Sequence, residues 1–91
     1  MSAGERFRVR RAARYRVVGL EAVVVRQDTA EVMVLNEVGA RTLVLLAEGR
    51  TAAEIAQRLA DEFEVAAEDA HADVLDYVRE LLEAGVIEHA P

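Results

Sequence analysis

The chain contains no cysteine, no tryptophan, one proline and only 4% aromatic residues, and each shortage closes off a class of protein. Without thiols there is no disulfide scaffold, no thiolate metal site and no cysteine nucleophile. The one proline is the last residue, and the five glycines stand singly at positions 4, 19, 39, 49 and 85. Linkers and glycine-rich phosphate loops are therefore absent. No apolar run approaches the roughly 18–20 residues that a bilayer span needs. The amino-terminal MSAGERFRVRR lacks the apolar stretch of a secretory signal, so a cytoplasmic location is expected.

What is present is a short chain of 91 residues, 53% apolar and 31% charged, with a formal net charge of −6. That is one domain with one core, too small to enclose a deep substrate cavity. The charge is unevenly spread. Residues 1–18 hold Arg6, Arg8, Arg10, Arg11, Arg14 and Arg16 against Glu5, while the rest of the chain carries five arginines against sixteen carboxylates. An acidic body repels phosphate backbones, so nucleic-acid binding by the domain surface would have to overcome the body's own field. Residues 1–13 read as a flexible arginine-rich segment, and residues 14–91 as a single domain.

The apolar period changes near residue 36. Before it, Tyr15 to Val18, Glu21 to Arg26 and Glu31 to Leu35 are short valine-rich runs separated by hairpin-length gaps, which predicts a three-stranded antiparallel meander. After it the punctuation is helical. Asn36 is a good N-cap for a helix from Glu37 to about Ala47, which Gly49 ends. Thr51-Ala52-Ala53-Glu54 is a capping box that opens a second helix, to about Glu62. A third helix runs from about Glu68 to Ala84, stopped by Gly85, and Val86-Ile87 return to the core. The predicted class is α+β, a three-stranded antiparallel sheet followed by three helices in a winged-helix-like arrangement.

The third helix has an unusually wide apolar side. At about 100° per residue, Tyr77, Ala70, Leu81, Val74, Val78, His71, Leu82 and Leu75 spread over roughly 160°, whereas a surface helix needs only about 100°. Tyr77 on one margin and Leu75 with Leu82 on the other are candidates for a groove.

Groups for catalysis do not converge. His71 and His89 are far apart and lack metal-ligand spacing. Glu62, Glu64, Glu68, Asp69, Asp73 and Asp76 lack the glycine and spacing of an EF-hand and read as a solvated acidic face. No enzyme activity, metal or cofactor is expected. A sheet edge beside an apolar helix is instead equipment for binding an extended peptide, because unpaired strand amides and carbonyls accept another strand. Glu31-Val32-Met33-Val34-Leu35 is the natural acceptor if it lies at the edge.

The helical half resembles a known family. Leu35-Asn36-Glu37-Val38-Gly39-Ala40, Leu45-Leu46, Glu48-Gly49-Arg50-Thr51, Glu54-Ile55, Leu59, Asp73-Val74-Leu75 and Leu81-Leu82-Glu83-Ala84-Gly85-Val86-Ile87 are similar, in order and spacing, to PqqD-like proteins, also called RiPP recognition elements. The similarity spans roughly residues 14–88. It implies a non-catalytic domain that holds the leader segment of a ribosomally made precursor peptide as an added strand and presents it to a modifying enzyme. Carried over by position, it implies a pairing strand at Glu31, Val32, Met33 and Val34, with affinity from the backbone of Val32 and Val34, and an opposing wall around Asp73, Val74, Tyr77 and Val78. The strand half lacks the proline-bearing segment of the PqqD proteins of quinone-cofactor biosynthesis. The resemblance therefore implies a stand-alone element of another peptide pathway, whose enzyme is a lasso-type leader peptidase or a radical enzyme.

Two other classes share these features. One is an accessory subunit that binds only its partner enzyme. The other is a winged-helix DNA-binding regulator, which is disfavoured because the third helix carries Arg79 among carboxylates. The expected partners are a leader peptide and a modifying enzyme, without nucleic acid or membrane. The open edge also allows the chain to be a monomer or a weak homodimer.

Overall fold

The computed structural model describes residues 4–91. Eight elements follow in order: β1 (Phe7–Val9), β2 (Ala13–Val18), β3 (Glu21–Arg26), β4 (Glu31–Leu35), α1 (Glu37–Ala47), α2 (Ala52–Phe63), α3 (Ala67–Glu83) and β5 (Ile87–His89). β2, β3 and β4 form the expected antiparallel meander, in that spatial order. The three helices follow it, as the sequence predicts.

Local chemistry sets most of these boundaries. Gly19, at φ +63°, begins the two-residue connection between β2 and β3, where a left-handed residue matches the strand twist. The β3–β4 connection has no such glycine, and Ala30 takes φ +60° in its place. Asn36 Oδ1 accepts from Gly39 N at 2.9 Å and starts α1. The Thr51 hydroxyl accepts from Glu54 N at 3.2 Å, while the Glu54 carboxylate accepts from Thr51 N at 2.9 Å, completing the capping box of α2. α3 has no side-chain cap, but Glu68 and Asp69 put negative charge in its first turn, where the helix dipole favours it.

Alternation within the sheet decides what is buried. Ala22, Val24 and Leu35 point inward and are almost fully buried, with Met33 partly buried beside them. α1 packs against β3 and β1, and α2 pairs with α3. Leu43, Leu45, Leu46, Ile55, Leu59, Val74, Val78 and Leu81 complete one continuous core.

The termini depart from the expected flexible segment over residues 1–13. Phe7–Val9 is a strand, paired antiparallel with Ile87–His89 in the register Phe7↔His89 and Val9↔Ile87. Backbone bonds from Arg10 N to Val86 O (2.9 Å) and from Ala90 N to Arg6 O (3.0 Å) extend the pairing at both ends. The cause is burial, since Phe7 is 1% exposed within the core. Residues 1–3 of that segment lie outside the described residues.

Candidate functional site

β4 is an edge strand: β3 lies on one side, and among the described residues no strand lies on the other. The β2–β3 ladder fixes which of its backbone groups are free. Antiparallel neighbours alternate between bonded and non-bonded pairs, and the two-residue hairpin makes Val18↔Glu21 a bonded pair. The bond from Gln27 N to Ala12 O, 2.8 Å, continues the same alternation at the far end. Odd-numbered residues of β3 therefore bond to β2, and Ala22, Val24 and Arg26 bond to β4. Their register partners Leu35, Met33 and Glu31 face β3 in turn. The N–H and C=O groups of Val32 and Val34 point to the open side.

Opposite that open side stands α3, which scarcely touches β4. The two elements run antiparallel and are tied at both ends. At the end of β4, the Tyr77 hydroxyl donates to Asn36 Oδ1 at 2.7 Å, and its ring lies against Gly39. The same Asn36 oxygen thus caps α1 and anchors α3. At the start of β4, Arg26 Nη1 donates to the carbonyl of Ala84 at 3.1 Å, at the last turn of α3. The other guanidinium nitrogens clasp Asp28 at 2.6 and 3.1 Å. These bonds hold the Asp28 carboxyl below its ordinary value, so it stays ionised and keeps Arg26 in place. Arg26 spends its donors on structure and sets the width of the gap.

Between these ties runs a trough. Near the start of β4 it deepens into a mainly apolar cleft of about 230 Å³, lined by Val24, Val32, Met33, Ala84 and Val86, with Arg26 and Glu31 at its rim. Toward the other end, Asp73, Asp76 and Glu80 surround Tyr77 in a second, polar hollow. The geometry suits an extended peptide: free amides and carbonyls along one wall, an apolar floor, and carboxylates along the opposite rim.

The structure sorts the residues assigned by sequence. Glu31, Val32, Met33 and Val34 line the strand wall, and Asp73 and Tyr77 line the helix wall. Val74 and Val78 do not: both are 0% exposed. They lie on the row Ala70, Val74, Val78 and Leu81 that faces the core, so their side chains are sealed beneath the trough. Glu80, Ala84, Val86, Arg26 and Asn36 were missed. Helical spacing from Asp73 and Tyr77 gave a signal for Glu80 and Ala84, three and seven residues beyond Tyr77, whereas Arg26 acts through a carbonyl 58 residues away.

Among the described residues, no three His, Cys, Asp or Glu come together in a way that could hold a metal ion. No helix among them is long and apolar enough to cross a membrane.

Residues 21–87 match the family described as coenzyme PQQ synthesis protein D (PqqD). No curated protein matches the chain. Three solved structures are similar to it. TbiB1 in complex with the TbiA(beta) leader peptide shares 25% identity with a TM-score of 0.85, over 92% of this chain and 98% of that one. A lasso peptide synthetase B1 complexed with the leader peptide shares 29% identity with a TM-score of 0.83, over 90% and 96%. The PqqD truncation of Methylobacterium extorquens PqqCD, a stand-alone RiPP recognition element, shares 24% identity with a TM-score of 0.77, over 96% and 93%, a likeness of fold.

Proposed function

This chain belongs to the PqqD family, and from that membership we propose that it captures the leader segment of a ribosomally made precursor peptide and presents it to a modifying enzyme. The leader adds as an antiparallel strand to β4. The observation that carries this is the open edge of β4, where the backbone groups of Val32 and Val34 face α3 across an apolar trough. Supporting it, two similar structures are complexes with leader peptides.

Affinity comes from main-chain pairing, with each net hydrogen bond worth about 1 kcal/mol. Selectivity comes from alternate side chains of the leader, which enter the trough beside Met33 and Tyr77 or point outward beside Val32 and Val34. Asp73, Asp76 and Glu80 favour a leader with basic residues opposite α3. Residues 14–91, together with the terminal ribbon of β1 and β5, act as one peptide-binding domain. The domain supplies recognition, and the partner enzyme supplies the chemistry; that enzyme is a lasso-type leader peptidase or a radical enzyme.

The test is a calorimetric titration of the chain with synthetic leaders from the precursor peptides encoded beside it. The expected result is a micromolar or tighter constant for one of them. No detectable binding by any leader overturns the proposal.

A further inference from the structure

The outer face of the β2–β3–β4 sheet is uncovered. Two cross-strand rows, Arg14–Val25–Val32 and Arg16–Val23–Val34, run across it from β2 to the open edge. Val32 and Val34 are 62% and 61% exposed. Against β2 the face dips into a depression of about 370 Å³ lined by Arg14, Tyr15, Arg16, Val18, Val23 and Val25. No helix among the described residues covers it, since α1 packs on the opposite, inner face.

Charge on this face is unusual for the molecule. Arg8, Arg10, Arg26, Arg41, Arg50, Arg58 and Arg79 each pair with a carboxylate. Among the described residues, Arg6, Arg11, Arg14 and Arg16 have no carboxylate partner, although the chain holds seventeen, and Arg6 donates instead to the carbonyl of Gly49. Arg14 Nη1 is bonded to the backbone carbonyl of Arg11 at 2.7 Å, and Arg16 is free. Two of these four, Arg14 and Arg16, stand side by side on β2 along a patch of valines.

We infer that this face docks the leader-modifying enzyme, through an aliphatic patch on that enzyme rimmed by carboxylates opposite Arg14 and Arg16. The inference rests on the leader-binding reading, because the enzyme has to reach a peptide held at the β4 edge of the same sheet. Outward side chains of the captured strand lie in line with Val32 and Val34, so the enzyme meets sheet and leader as one continuous surface. An anionic membrane is disfavoured, since polybasic lipid sites gather about 4–8 basic residues and this face holds two, Arg14 and Arg16.

The experiment uses the purified enzyme encoded beside the precursor gene as the probe, in biolayer interferometry against the chain with and without saturating leader. Arg16→Glu and Val23→Glu are expected to weaken enzyme binding at least tenfold, about 1.4 kcal/mol, and to leave the leader constant within about twofold. Arg16 is exposed and keeps the test valid if Val23→Glu does not fold. Unchanged enzyme affinity in Arg16→Glu, or no enzyme binding to the parent chain, overturns the docking face. So does a shift of sedimentation from dimer to monomer in Arg16→Glu, or loss of cosedimentation with phosphatidylserine vesicles. Failure of the leader alone to bind counts against strand capture, while the enzyme measurement still decides the face.

Discussion

The ring of Tyr77 rests where a side chain on residue 39 would stand: a Cβ added to Gly39 would lie 2.7 Å from Tyr77 Cε1 and 3.3 Å from Leu35 Cβ. That contact sets how closely α3 approaches the end of β4, and the hydroxyl of the same tyrosine is held by Asn36.

Gly39→Ala therefore displaces the ring and breaks its bond to Asn36. Alanine is favoured over glycine in a helix by about 1 kcal/mol, which offsets the cost in stability. The expected outcome is a melting temperature within a few degrees of the parent and a leader constant weakened about tenfold. Calorimetric titration beside a thermal melt separates the two effects.

The alternation along β4 makes a sharper prediction. Proline is tolerated at an edge where its missing N–H faces outward. Val34→Pro leaves the β3 ladder intact and removes one donor to the added strand. It is expected to keep the native circular dichroism and to weaken the leader at least fivefold, about 1 kcal/mol. Met33→Pro removes a bond to β3 and is expected to lower stability by roughly 1–3 kcal/mol for the orphaned carbonyl alone.

Ala30 stands at φ +60° in the β3–β4 connection, a conformation that costs a non-glycine residue about 1 kcal/mol. Ala30→Gly is expected to stabilise the domain by about 0.5–1 kcal/mol, raising the melting temperature by several degrees.

Acid weakens the α1–α2 contact. Arg41 grips Glu62 through two bonds, at 2.8 and 3.0 Å, and these hold the Glu62 carboxyl below its ordinary 4.5. A carboxyl whose folded value is depressed adds stability that is fully present above its unfolded value and fades as the pH falls toward the folded one. The urea midpoint is expected to drop between about pH 5 and pH 3, and Glu62→Gln is expected to flatten that drop.

How much of this was legible in sequence depended on range. α1 and α2 were readable because Asn36 and the Thr51–Glu54 box are local signals, each satisfied within three residues. β1 was not, because Phe7-Arg8-Val9 has no turn to a neighbour and its partner Ile87–His89 lies at the other end of the chain. That Glu31–Leu35 is a strand was legible, since its valine-rich run marks it, and its place at the edge came from the structure. Which part of α3 is open to a ligand was not. A helical wheel gives an apolar sector but not the part of it that the core takes, and the core took Val74 and Val78. Arg26 escaped notice because its role is a bond to a carbonyl of α3, which carries no side-chain signature.

Strand capture at β4 is tested most directly by amide hydrogen exchange, resolved by NMR, with and without the leader. Val32 and Val34 amides are expected to exchange freely in the unliganded chain and to become protected when the peptide binds, while Met33 is protected in both. Val32 and Val34 amides already protected without peptide, or still exchanging freely in its saturated complex, would contradict it.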